Sequence, residues 1–255
     1  MNTRPYITLE ISSACNLSCD FCSQHNKDIF KKGFMSFELF KKLIDEISEN
    51  NEYCSINPYF RGESLLHPQF NEFMDYIYES SLEKPVCEYI VLHTNGLLLN
   101  EKNAKSILRV CDQSRLIHPG NLIISIDAAS PDTYTKIRGG NFILLIENIK
   151  GFLKLRNKYN QWGPNIVFQF IIQNENSEEA IKFVELIKGI CSKYSHKNVD
   201  TVASFKNRPF EIKNDIIYFR MLESDAFSQK EYEILYRDTV KHLAENIEIE
   251  IFDYD

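Results

Sequence analysis

Glycine and proline are scarce in this chain, nine and eight of 255 residues, and there is a single tryptophan. A sequence so poor in Gly and Pro is neither collagen-like nor a low-complexity linker. No uninterrupted apolar run approaches the ~20 residues that a membrane-spanning helix needs. The opening MNTRPYITLEISSACN has no secretory pattern, because Thr8 and Glu10 break its longest apolar stretch. Positive charge is in deficit: 29 Lys and Arg stand against 36 Asp and Glu, a net −7. That balance argues against a broad nucleic-acid-gripping surface. With 44% hydrophobic and 25% charged residues the chain has the make-up of a globular domain, not of a disordered one. The expectation is a cytoplasmic protein without a membrane partner, in a compartment where thiols stay reduced.

What is present is an alternation of strands and helices. Tyr6–Ile11, Cys54–Phe60, Tyr89–Thr94, Leu122–Ile126, Ile166–Ile172 and Val199–Phe205 read as strands. The fourth is an almost unbroken apolar run, which suits a buried parallel sheet. Ser36 reads as the N-cap of a helix to about Asn50, with Leu39, Phe40, Leu43, Ile44 and Ile47 on one face. Pro68 opens a second helix carrying Phe70, Phe73, Met74 and Ile77. Further helices are expected from about Glu101 to Cys111, Phe142 to Tyr159 and Glu178 to Tyr194. Such alternation predicts a parallel sheet with crossover helices. Periodicity alone leaves open a doubly wound sheet or part of a (β/α) barrel, and in both the chemistry sits at the carboxyl ends of the strands. After residue 206 the pattern changes to a strand-like NDIIYFRML, a charged helix near Ser228–Glu245 and a closing IEIEIF. Residues 206–255 are therefore read as a short α+β C-terminal extension packing on a core of residues 1–205.

Seven cysteines is an odd number, and three of them fall within the first 22 positions. That clustering is unlike a disulfide framework and points to metal, catalysis or plain burial. Cys15, Cys19 and Cys22 follow the first strand directly, and soft sulfur at this density suits zinc or iron–sulfur. The residues alone leave two ligand sets open. His25 would complete a closed zinc site of three cysteines and one histidine, in a binding protein without catalysis. Alternatively, three thiolates on a four-iron cluster leave one iron open to another ligand. Cys54, Cys87, Cys111 and Cys191 are scattered without ligand spacing and read as small buried hydrophobes.

The spacing C-x3-C-x2-C, with Phe21 just before the last cysteine and a strand before the first, resembles the radical S-adenosylmethionine (radical SAM) enzymes. The resemblance implies a [4Fe-4S] cluster on Cys15, Cys19 and Cys22, whose open iron chelates S-adenosyl-L-methionine. One-electron cleavage of the sulfonium would then yield a 5′-deoxyadenosyl radical that abstracts a substrate hydrogen. Downstream segments agree in order. Gly62-Glu63-Ser64 looks like the family's Gly-Glu-Pro, with Glu63 as acceptor for the methionine ammonium and Gly62 for close backbone approach. Ser64 replaces the usual proline and gives up some loop rigidity. Thr94-Asn95-Gly96 resembles the family's Thr-Asn-Gly. Ser125-Ile126-Asp127-Ala128 resembles its Ser-x-Asp-Gly, whose polar side chains contact the cofactor; Ala128 departs from the usual glycine. Within the following Ala129–Gly140, Arg138 is placed on the methionine carboxylate.

The resemblance covers about residues 5–205 and implies a partial (β/α)6, TIM-like barrel, which periodicity did not decide. It is closest in look to the cores of maturases that carry a cysteine-rich SPASM or Twitch domain, yet no cysteine follows Cys191. The implied substrate is a peptide, as in natural-product maturation, with a sugar, aminocyclitol or nucleoside as the alternative. An electron donor such as flavodoxin or ferredoxin is implied as partner, and Lys27, Lys31 and Lys32 after the cysteine loop are candidates to dock it. His67 and His93 stand beside the motifs and are expected near the cavity.

Overall fold

The computed structural model describes residues 6–22, 32–50, 54–111, 116, 118–159, 163–204, 213–223 and 229–252. In chain order the elements are β1 (Tyr6–Thr8), α1 (Phe37–Asn50), β2 (Ser55–Asn57), α2 (Phe70–Ser80), β3 (Tyr89–Thr94), α3 (Glu101–Val110), β4 (Asn121–Ser125) and α4 (Pro131–Arg138). They continue as α5 (Phe142–Lys158), β5 (Asn165–Ile172), α6 (Ala180–Tyr194), β6 (Val199–Ser204), β7 (Asp215–Met221), α7 (Gln229–Asn246) and β8 (Glu250–Phe252). The strands form one parallel sheet in the order β1-β2-β3-β4-β5-β7-β6-β8. It is an α/β fold, a partial barrel whose wall stays open between the edge strands β1 and β8. Among the described residues no helix is long and apolar enough to cross a membrane.

Side-chain alternation divides each strand between two faces. On β5, Phe168 and Phe170 point into the helix layer, where Phe170 lies 4.8 Å from the ring of Phe183 on α6 and 5.3 Å from Phe219 on β7. Val167 of the same strand joins Val202, Ile216 and Tyr218 in a smaller cluster on the opposite, concave face. The main core therefore lies between sheet and helices, and the concave face is left for polar groups near its upper rim.

Most helices follow their apolar stripes. Ser36 caps α1, its Oγ accepting from Leu39 N at 3.2 Å. Phe40, Ile44 and Ile47 are buried, with Phe40 stacked 4.1 Å from Phe73 of α2. Leu39, expected inward, is instead 48% exposed. α1 rests on α2, a narrower contact than its full stripe. β2 ends at Asn57 because Pro58 cannot donate to a ladder. Helix α4 was not expected from periodicity; Ser130 caps it, Pro131 opens it and Gly139, in the left-handed region at φ 70°, closes it.

The segment after residue 206 supplies β7 to the interior of the sheet, between β5 and β6, and β8 to its edge. A buried ion pair seats it. Asp215 at the start of β7 accepts from both terminal nitrogens of Arg156 on α5, at 2.8 and 2.5 Å, and from Ile166 N at 2.9 Å.

Candidate cofactor site

The loop from Cys15 to Cys22 leaves β1 at the carboxyl end of the sheet. Cys19 is buried, and Cys15 and Cys22 are half-buried. The Cys22 N–H donates to the Cys19 carbonyl at 3.1 Å, and Asp20 N to the Ile137 carbonyl of α4 at 3.2 Å, which pins the loop's far side. Two neutral or cationic donors face the sulfurs: Asn95 Nδ2 lies 3.9 Å from Cys15 Sγ and Arg138 Nη1 lies 3.8 Å from Cys19 Sγ. Burial raises the Cys15 thiol, and pushes Cys19 up to about 11 although Arg138 works against the rise. Such thiols are neutral until a metal displaces the proton. The donor set fits a soft iron–sulfur group: three sulfurs on one loop, with N–H donors placed to offset thiolate charge. Among the described residues no three His, Cys, Asp or Glu side chains close around a single metal ion, and a four-iron cluster with its cysteines on separate irons needs no such closure. His25, Lys27 and Lys31 lie outside the described residues.

The end of β2 brings a carboxylate to this loop. Gly62 passes so close that a Cβ would stand 2.1 Å from the Ser12 carbonyl oxygen and 2.7 Å from that of Ala14. The next amide, Glu63 N, donates to Ala14 O at 2.8 Å. Gly62→Ala is therefore expected to displace the loop at Ala14–Cys15, cost about 1–3 kcal/mol and weaken S-adenosylmethionine binding. Thermal unfolding and equilibrium binding check this; an unchanged affinity would show that the two segments move independently.

Glu63 is buried and accepts from Leu65 N at 3.0 Å, Thr94 Oγ1 at 2.9 Å and Asn95 N at 2.7 Å. Burial nevertheless raises its pKa, against those hydrogen bonds and the charge of Arg138. A cation arriving beside it relieves that penalty. Ser64, where the family has proline, donates to the Pro58 carbonyl at 2.7 Å and so restores a restraint on the turn.

Thr94 ends β3 and Asn95 follows it. Thr94 Oγ1 also accepts from Gly96 N at 3.0 Å, and Gly96 has φ 77°, which glycine tolerates. Asn95 links Asn16 and Leu97, at 2.8 and 3.0 Å. Ser125 ends β4; its Oγ meets His93 Nε2 at 2.6 Å and accepts from Gln169 Nε2 at 3.1 Å. Asp127 lies beyond the strand with φ 59°, so the two-residue alternation that would align it with Ser125 no longer holds. Its Oδ1 accepts from Ile171 N at 2.7 Å, and its Oδ2 from Arg138 Nε at 2.8 Å and from Arg138 Nη2. The left-handed residue is thus Asp127 itself, and Ala128 packs buried beside it. Arg138 also lies 5.4 Å over the ring of Phe21. In this arrangement Asp127 and Arg138 pair with each other, and Arg138 bridges that pair to the cysteine loop.

Three features escaped the sequence reading. Asn176 is fully buried and donates to the carbonyls of Asp127 and Ile171, at 2.9 Å each, fastening β4's end to β5's. Gln169 on β5 supports Ser125, although its strand read as plain core. A cleft of about 180 Å³ opens between the cysteine loop and α7, lined by Asp20, Phe21, Ile137, Gln173, Glu175 and Tyr232 among others. His93 faces the concave side, whereas His67 packs between Phe34 and Phe73 and bonds Met35 O at 2.9 Å, a structural post. Cys54, Cys87, Cys111 and Cys191 are all buried in the main core.

Known proteins resemble this chain in sequence and in fold. A cofactor-modifying protein for the tungsten-containing aldehyde ferredoxin oxidoreductase of Pyrococcus furiosus is 24% identical over 236 residues, 90% of this chain and 59% of that protein. The antilisterial bacteriocin subtilosin biosynthesis protein AlbA of Bacillus subtilis is 28% identical over 148 residues, 57% of this chain and 30% of AlbA. The chain thus spans 59% or less of these two curated relatives. In fold, SuiB of Streptococcus suis, solved bound to its precursor peptide SuiA, superposes with TM-score 0.61 at 11% identity, covering 99% of this chain and 50% of SuiB. The sequence profile of the Radical SAM superfamily matches residues 9–187, from just after β1 to the middle of α6, and the chain belongs to that superfamily.

Proposed function

We propose that the protein is a radical SAM enzyme that cleaves S-adenosylmethionine reductively at a [4Fe-4S] cluster and abstracts a hydrogen from a peptide substrate. The observation that carries the reading is the meeting of Cys15, Cys19 and Cys22 with Glu63 at the carboxyl ends of neighbouring strands, joined by the Glu63 N to Ala14 O bond. Cluster and S-adenosylmethionine together supply a one-electron cleavage of the sulfonium, the source of the hydrogen-abstracting radical. The chain's own residues bind, orient and shield. Cys15, Cys19 and Cys22 hold the iron, and Gly62 lets Glu63 reach the methionine ammonium. Thr94 and Asn95 fix the Glu63 carboxylate, Ser125 presents its hydroxyl to the cofactor, and the Asp127–Arg138 pair sets the far wall behind Phe21. Residues 206–255 shape the substrate end through α7 and the cleft beside it.

A peptide substrate is favoured because AlbA acts in bacteriocin biosynthesis and SuiB binds a precursor peptide. A sugar, aminocyclitol or nucleoside is the alternative substrate. A cytoplasmic flavodoxin or ferredoxin is the electron donor on this reading. A zinc-stabilised binding protein would leave the matched segments from residue 9 to 187 without a role. The test is anaerobic reconstitution, reduction with dithionite and mass spectrometry for 5′-deoxyadenosine. About four irons and four sulfides per chain, with 5′-deoxyadenosine formed, are expected. One zinc per chain and no product would overturn the reading.

A further inference from the structure

The concave face of the sheet carries a charge that the proposed cofactor site does not use. Arg220 of β7 stands in register with Ile171 of β5 and with Ser204, the last residue of β6, one residue before β5 and β7 end. Its strand neighbours Ile217 and Phe219 enter the helix-side core, so Tyr218 and Arg220 share the concave face. Arg138 and Arg156 are each closed by a buried aspartate. Arg220 is not: its ion pair is with Glu223, at 3.7 Å, and that carboxylate side chain is 58% exposed. Such a pair contributes little. The Arg220 Nε is buried and has no hydrogen-bond partner.

Three neutral polar side chains feel this cation's charge. Tyr59, two residues past the end of β2, and Tyr218 on β7 both lie within its electrostatic reach, and burial keeps both phenols protonated. The ring of His93 stands edge-on to Tyr59, with centroids 5.2 Å apart. Burial, reinforced by Arg138 and Arg220, keeps that imidazole neutral down to about 3. His93 also meets Ser125 Oγ at 2.6 Å, which ties the group to the proposed cofactor contact. We infer that Arg220, with Tyr59, Tyr218 and His93, forms an anion site that takes a carboxylate of the substrate, an acidic side chain or a chain terminus. A ligand carboxylate that displaces the exposed Glu223 balances the one guanidinium charge, and the planar fork matches it. The inference rests on the radical SAM reading, in which substrate enters at the open strand ends, and it narrows the substrate to a peptide that presents a carboxylate there.

The test uses the reconstituted protein with S-adenosylmethionine and nitrogen-15 label at arginine Nε. The Arg220 resonance is assigned by its loss in Arg220→Lys. N-acetylglutamate α-methylamide is titrated against N-acetylglutamine α-methylamide and inorganic phosphate, so that one side-chain carboxylate is all that separates the first two. A saturable shift of the Arg220 signal, with acetylglutamate bound at least about tenfold more tightly than acetylglutamine, is expected. Tyr59→Phe should weaken the acetylglutamate affinity about threefold. No shift with acetylglutamate, equal affinity for acetylglutamine, or saturation by phosphate alone would each overturn the assignment. Formation of 5′-deoxyadenosine is measured on the same sample. If product forms while Arg220 stays silent, the anion site fails and the radical reading stands. If no product forms while acetylglutamate still binds, the anion site stands and the radical reading fails.

Discussion

Cys19→Ala is expected to leave a folded protein that stays colourless after reconstitution and forms no detectable 5′-deoxyadenosine. Cys19 is the most buried of the three loop cysteines, held between Arg138 Nη1 at 3.8 Å and the Arg138 carbonyl at 3.9 Å. Its thiol is pushed up to about 11 by burial, so only a strong bond to metal offsets the loss of its proton. Removing it leaves two sulfurs, and iron should fall from about four per chain to below about one. The loop keeps its shape without the sulfur, because Asp20 N still bonds Ile137 O and Glu63 N still bonds Ala14 O. Cys54→Ala supplies the contrast. Cys54 is fully buried in the core, so its loss should lower stability by about 1–2 kcal/mol for a small cavity and leave iron and cleavage intact. Iron content, the absorption near about 400 nm and product mass spectrometry read both variants. Cleavage surviving in Cys19→Ala, or iron lost in Cys54→Ala, would show that the division of the seven cysteines into three ligands and four packing residues is wrong.

Features fixed by neighbours in sequence were legible, and features fixed by distant chain were not. The cysteine loop is a local spacing, and Tyr89–Thr94 is a strand in both reading and structure. The apolar stripe of α2 is buried at all four expected positions, Phe70, Phe73, Met74 and Ile77. Helix α4 has little apolar periodicity, and its signal lies in capping: Ser130-Pro131 at one end and Gly139 at the other. The place of β7 depends on Asp215 finding Arg156, 59 residues away, a pairing no local pattern encodes. Arg220 went unnoticed for the same reason, since its face of the sheet follows from that insertion. In the site, Asp127 and Arg138 each carried a family role, yet their mutual pairing depends on α4 folding back over the strand end. Spacing could not show it, because the alternation rule stops where the strand stops.

Asp127→Asn is the sharpest test of that pairing. Asp127 is fully buried and Arg138 only 6% exposed, and burial opposes the guanidinium charge that Asp127 sustains. Asparagine keeps two of the aspartate's three tasks. It tolerates the left-handed backbone at φ 59°, and its carbonyl oxygen still accepts from Ile171 N. What it removes is the negative charge opposite Arg138. Breaking one side of a buried ion pair costs about 3–5 kcal/mol, because the other charge is left uncompensated. Denaturant unfolding of the metal-free variant should show a loss of that size. Arg138→Met in the same chain should then recover part of it, since the uncompensated charge is gone. The double variant should bind S-adenosylmethionine more weakly than the unaltered protein, as Phe21 and Cys19 both lose the guanidinium they contact. A loss below about 1 kcal/mol in Asp127→Asn would mean that solvent, not Asp127, carries the Arg138 charge. A double variant no more stable than the single one would point to the Ile171 and Asn176 bonds, at 2.7 and 2.9 Å, as what holds this corner of the site.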